Sequence, residues 1–242
     1  MRFLICGKGG AGKSAITLLM AREFTKRGPV YILDSDESNR LLPKLLGTET
    51  PDTIANYLGG RKNLSKEFNK LDNIHLSKLP EEFIKISPEG IGLTSVGKIE
   101  EFGEGCACPY GLLSKVLLKK MVLGENETVL MDTEAGVEHL GRGVEEGIDA
   151  IIVIVDPTAE GIAIARLLRD EATRIEKPFY MILNKITSEV EDIMIEKAKE
   201  EGLVPSALVR YDPAIFKSGL EGSRLEAGTA QVEISTFINS NF

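Results

Sequence analysis

The sequence predicts an α/β fold in a single domain, a doubly wound, mostly parallel sheet between two helical layers. Three observations carry that expectation. Apolar runs of strand length alternate with amphipathic helical patterns along all 242 residues, and strands separated by helices imply right-handed βαβ crossovers. A glycine-rich octet, residues 7–14, lies between the first apolar run and the first helical pattern. Polar residues recur directly after the apolar runs, where ligands of open α/β sheets collect.

In chain order, strands are expected at Phe3–Cys6, Val30–Leu33, Ile74–Ser77, Gly92–Val96, Thr128–Met131, Ala150–Val155, Phe179–Leu183 and Val204–Leu208. Most are short and continuous, as parallel strands buried on both faces should be. Helices are expected at Lys13–Lys26, Tyr110–Leu123, Glu160–Thr173, Val190–Glu200 and about Ser223–Phe237. The first of them puts Ile16, Leu19, Met20 and Phe24 on one face, the stripe a core-facing helix needs. The pattern is least regular between Thr48 and Glu101.

Charge and composition narrow the partners. With 37 acidic and 29 basic residues the net charge is −8, and binding to nucleic acid needs clustered Lys and Arg. No nucleic-acid partner is expected. Nor is a membrane: no apolar run approaches ~18 residues, and residues 234–242 carry no basic amphipathic pattern. The chain enters its first strand at once, which leaves no room for a signal peptide and predicts a cytoplasmic protein. Three cysteines are too few for a disulfide framework.

Gly7-Lys8-Gly9-Gly10-Ala11-Gly12-Lys13-Ser14 fits the phosphate-binding pattern G-x-x-x-x-G-K-[ST], in the strand–loop–helix context that it requires. Its glycines let backbone N–H groups turn inward around an anion, and the following helix adds its positive N-terminus. Lys13 is expected on the β- and γ-phosphates and Ser14 on Mg²⁺. Asp132, after Val129-Leu130-Met131, is expected near Mg²⁺ in the Walker-B manner. Asp34 follows the second strand and could orient Mg²⁺-bound water. Asp36, two residues on, shares its face if the segment is extended. The expected cofactors are ATP or ADP with Mg²⁺.

A second feature is Glu104-Gly105-Cys106-Ala107-Cys108-Pro109-Tyr110. Cys106 and Cys108 point the same way in an extended segment, and Pro109 suits the first position of a helix. A helix N-terminus favours thiolate, the form that binds soft and borderline metal ions. A closed tetrahedral site takes four ligands, of which one chain supplies two. A two-fold axis through the pair supplies each cysteine twice. Cys6, inside the first strand, is expected to be an inert core residue.

Lys8 marks a resemblance to the deviant Walker A ATPases, which include the nitrogenase iron protein, the arsenite-pump ATPase, and septum-positioning and chromosome-partitioning ATPases. That resemblance implies that Lys8 reaches across a homodimer to the other subunit's nucleotide. It also implies that Asp36 positions the attacking water and Asn39 belongs to the first switch. Residues 132–136 would form the second switch, and Asn184 would read the adenine. Glu37 departs from the branch, where a small residue or proline is usual, and Arg210 stands where a proline is expected. Within the branch the chain is similar to the carbon monoxide dehydrogenase maturation ATPases, accessory proteins linked to nickel insertion. The shared residues are the octet, Asp34-x-Asp36, Gly105-Cys106-Ala107-Cys108-Pro109 and residues 132–143. This implies Ni²⁺ or Zn²⁺ shared between Cys106 and Cys108 of two subunits, with carbon monoxide dehydrogenase as client. Two alternatives stay open: an iron-protein-like reductase with an intersubunit Fe–S cluster, and a septum-positioning or partitioning switch.

Overall fold

A computed structural model describes residues 1–67, 71–99, 108–134 and 147–242. At its centre is an eight-stranded sheet in the order β3-β4-β2-β5-β1-β6-β7-β8. The strands are β1 (Arg2–Gly7), β2 (Val30–Asp34), β3 (Lys85–Ile86), β4 (Ile91–Ser95), β5 (Thr128–Asp132), β6 (Ala150–Val155), β7 (Phe179–Ile186) and β8 (Ala207–Arg210). All neighbours pair parallel except β3, which runs antiparallel to β4. The mostly parallel, doubly wound fold predicted from the alternation is the fold observed.

Strand residues divide their side chains between two cores, as the two-residue period dictates. Leu4 and Cys6 face one of them, together with Leu113 and Leu117 of α5 (Cys108–Lys120), Leu168 of α6 (Ala159–Arg174), and Met194 of α7 (Glu191–Glu200). Phe3 and Ile5 face the other, against Ile16 and Leu19 of α1 (Lys13–Phe24) and Ile234 and Phe237 of α9 (Thr229–Asn241). Cys6 is fully buried and its thiol is pushed up to about 12 by desolvation. Such a thiol is inert.

Four sequence expectations need correction. Ile74–Ser77 is not a strand: Ile74 exchanges backbone hydrogen bonds with Lys120 and Val122 rather than with the sheet, and Leu76–Lys78 is a 3₁₀ turn. The eighth strand begins at Ala207 rather than Val204, because Val204 is exposed and Pro205 has no N–H to offer a ladder. The last helix begins at Thr229 rather than Ser223, since Leu225 is tied by its N–H to Leu45 and the N–H groups of Gly228 and Ala230 go to Asp212. Between these lies an unpredicted helix, α8 (Pro213–Glu221), capped by Asp212 with Pro at its start and left-handed Gly222 at its end. Among its described residues the irregular stretch holds two short helices, α3 (Ile54–Tyr57) and α4 (Leu64–Glu67), and the two-residue edge strand β3, and a further short helix, α2 (Leu42–Leu46), precedes it.

Candidate functional site

The strand order reverses around β1, and ligands of such sheets sit beyond the strand C-termini at that point. Parallel register places Ser95 opposite Asp34 and Asp34 opposite Asp132. Three polar residues from β4, β2 and β5 thus stand in a row beside the glycine loop that leaves β1.

The loop's shape depends on two of its glycines. Gly7 has φ +144°, and a Cβ there would lie 2.3 Å from the carbonyl oxygen of Ile154 in β6. Gly12 has φ +97° and would put a Cβ 2.4 Å from Asn184 Nδ2. Only glycine tolerates both the conformation and the approach. From β7, Asn184 donates its amide to Ala11 O at 2.8 Å and Lys185 donates to Gly10 O at 2.6 Å, so one strand tip braces the loop from outside. Lys13 Nζ lies over the loop itself, donating to Lys8 O at 3.2 Å and Gly7 O at 3.4 Å.

Ser14 is the meeting point of the predicted residues. Its hydroxyl donates to Asp132 Oδ2 at 2.6 Å and accepts from Asn39 Nδ2 at 3.0 Å. Asp132 Oδ1 is buried and has no hydrogen-bond partner among the described residues. An orphaned carboxylate oxygen beside a serine hydroxyl, at the start of a helix, fits a Mg²⁺ ion or its water shell. Asp34 spends its oxygens differently: Oδ2 accepts from Lys98 at 2.6 Å and Oδ1 from the Asp36 N–H at 3.2 Å. Asp36 caps its own turn, accepting from the Ser38 N–H and hydroxyl and the Asn39 N–H.

Burial and crowding of like charge raise the carboxyl pKa values here. Asp132 is pushed up to about 7, chiefly by burial and then by Asp34, against the Ser14 hydrogen bond and Lys13. Asp34 is pushed up to about 6 by burial, against Lys98. Glu37 is pushed up to about 7 by burial and by the neighbouring Glu134 carboxyl, which it meets across the gap between the two predicted switches. The sign for Asp132 follows from linkage. A carboxyl with a raised native pKa costs no stability below its free value of 3.8, costs progressively more as pH rises, and costs its full amount above about 7. The nucleotide-free protein should therefore lose thermal stability between about pH 4 and about pH 7. Asp132→Asn should flatten that slope in a Tm-against-pH series; an unchanged slope would count against the buried charge.

Lys8 pairs within its own chain, 3.6 Å from Asp156 and 3.2 Å from Glu160 at the start of α6. Arg210, at the expected proline position, ends β8 in pairs with Glu233 and Glu191. Cys108 opens α5. Its side chain, Cys106, and residues 135–146 with the rest of the predicted second switch lie outside the described residues. Among the described residues no group of three or more His, Cys, Asp or Glu could hold a metal ion, and no helix is long and apolar enough to cross a membrane.

Sequence reading gave no role to two side chains that make contacts at the site: Lys98, past the end of β4, and Lys185, which follows Asn184 after the Phe179–Leu183 run. Both follow or end a strand at its C-terminal tip. Applying the strand-tip rule to Gly92–Val96 as it was applied to the other strands would have singled out Lys98.

Sheet order and loop together define the P-loop NTPase class of α/β folds, in the arrangement of MinD and ParA. The septum site-determining protein MinD of Pyrococcus horikoshii, complexed with Mg-ADP, superimposes with a TM-score of 0.69 over 99% of this chain and 95% of that one. At 16% identity that likeness is one of fold. No established protein-family profile matches the chain. Sequence relatives are nearer. An uncharacterised ATP-binding protein of Methanocaldococcus jannaschii is 41% identical over 244 residues, covering 96% of this chain and 97% of that protein. The chain belongs to that protein's family. The carbon monoxide dehydrogenase accessory protein CooC of Rhodospirillum rubrum is 29% identical over 228 residues, covering 89% of this chain and 85% of CooC.

Proposed function

We propose that this protein is a Mg²⁺-dependent ATPase that works as a homodimer and carries Ni²⁺ or Zn²⁺ as cargo, for insertion into carbon monoxide dehydrogenase. The observation that carries the ATPase reading is the Ser14–Asp132 pair at the mouth of the glycine loop, with one carboxylate oxygen left unpartnered. The ATP-binding relative supports the same nucleotide. The cargo reading is supported by the Cys106-Ala107-Cys108 sequence and by the likeness to CooC.

In this reading the loop N–H groups and Lys13 hold the polyphosphate. Mg²⁺, bound by Ser14 and, directly or through water, by Asp132, supplies the charge that offsets the phosphates. Asp36 orients the attacking water, and Lys8 leaves Asp156 and Glu160 to reach the nucleotide of the second subunit. Asn184 stands at the base side of the loop. Closure of the dimer brings four thiolates, two from each copy, around one ion. ATP and metal then favour the same state, so each raises the other's affinity by the same factor.

Titration of Ni²⁺ into the protein with and without Mg-ATP tests this. One ion per dimer is expected, bound about tenfold or more tightly with ATP and lost in Cys106→Ala. One ion per monomer, unchanged in Cys106→Ala, would refute the shared site.

A further inference from the structure

The first switch, residues 34–40, closes around an internal cation, Lys98. Lys98 lies three residues past the end of β4 and is 14% exposed. Its Nζ donates to Asp34 Oδ2 at 2.6 Å, to Asp36 O at 2.5 Å and to Asn39 O at 2.7 Å. An ammonium has three donors, and all three are spent on this one turn. Around it the backbone is stitched to the same strand end: Val96 N donates to Asp34 O at 2.9 Å, Ile99 N to Glu37 O at 3.4 Å, and Arg40 to Ile99 O at 3.0 Å. The switch is also held from α5, where the Ser114 and Ser35 hydroxyls share a buried hydrogen bond of 3.0 Å. From the clamped turn, Asn39 reaches Ser14.

We propose that Lys98 is a positioning residue for ATP hydrolysis, holding Asp36 and Asn39 against the phosphate loop without touching the nucleotide. The proposal rests on the ATPase reading above. The physical reason is convergence. Two carbonyls and a carboxylate repel one another unless a cation sits between them, so the 34–39 turn keeps its closed shape only with the ammonium in place. Lys98 donates to none of the loop glycines, Lys13 or Ser14; its link to the loop runs through Asn39, which donates to Ser14 Oγ. Removal of Lys98 therefore misplaces the water-orienting groups while leaving the polyphosphate cradle intact.

Steady-state hydrolysis of Mg-ATP by the full chain, wild type against Lys98→Met, reads this directly. The expected result is a kcat about 10- to 100-fold lower with KM for ATP changed by less than about threefold. Hydrogen–deuterium exchange of the same proteins should show protection lost at residues 35–40 and kept in β1 and α1. If Lys98→Met fails to fold, Asp34→Asn with Lys98→Met, which removes the ammonium together with the carboxylate it pairs with, carries the same comparison against Asp34→Asn alone. A kcat within about threefold of its reference, a parallel loss in kcat and KM, or unchanged protection at 35–40 overturns the proposal. A wild-type protein that does not hydrolyse ATP overturns the ATPase reading and the Lys98 role together. An active wild type with an equally active Lys98→Met overturns only the latter.

Discussion

Lys13→Ala is expected to lower ATP hydrolysis by about 10²- to 10³-fold, the usual loss when one preorganised charge is taken from a transition state, worth about 2.7–4 kcal/mol. The geometry explains why a single side chain matters so much. Lys13 is the first residue of α1 and is only 8% exposed, with its ammonium folded over the carbonyls of Lys8 and Gly7. The charge is held on the concave side of the loop, at the positive end of a helix, where charge developing on transferred phosphate is met without rearrangement. Those two carbonyls are its recorded hydrogen-bond acceptors, and alanine is an excellent helix former. The fold should therefore survive, and Tm should change little. Steady-state hydrolysis together with a thermal melt checks both halves. Activity within about tenfold of wild type would mean that the loop does not act on phosphate in the P-loop manner.

The second large effect is expected at Lys8. Its pairs with Asp156 and Glu160 hold it in its own subunit; Asp156 is 15% exposed, but the Glu160 contact faces solvent, with Glu160 68% exposed. Solvent-facing pairs hold weakly and exchange readily. In the proposed homodimer the lysine would trade them for a phosphate of the partner copy, a charge-assisted contact in a site closed to water. Lys8→Ala should leave nucleotide binding by one chain nearly intact and weaken ATP-driven association by about 30-fold or more, in line with truncating one side of a buried charge pair. Sedimentation velocity in Mg-ATP reads the difference directly. If Lys8→Ala dimerises as well as wild type, this lysine does not act in trans. Glu160→Ala serves as the control: it loosens Lys8 without removing it, and should dimerise at least as well as wild type.

Much of this was legible in the chain because the signals are local. β1, α1, β2, β5, β6, α6, β7 and α7 are read within a residue or a few of their ends, since each is a continuous apolar run or a clear amphipathic stripe. Failures fell where a local pattern was outvoted. Ile74 and Leu76 alternate like a strand, but the backbone of Ile74 is claimed by residues 120–122 and Leu76 opens a 3₁₀ turn. The signals of α8, an Asp-Pro start and a glycine stop, are present in the sequence. β3 is two residues long, too short for any periodicity to register. Among site residues, Ser14, Lys13 and Asp132 could be picked out by motif and position. Lys98 and Lys185 belong to no motif, and their importance comes from what they touch.

By itself the sequence determined that a phosphate-sized anion is met by a turn of glycines, a lysine and a helix start. That chemistry is spelled out within eight consecutive residues, although Ile154, Asn184 and Lys185 brace the loop from distant strands. Only the tertiary structure decided who meets whom at the strand tips. Strand order and register set Asp34 beside Asp132, bring Asn39 to Ser14 and close the turn of residues 34–39 around Lys98. Pairings between parallel strands join residues far apart along the chain, and no local pattern encodes which strand will lie next to which.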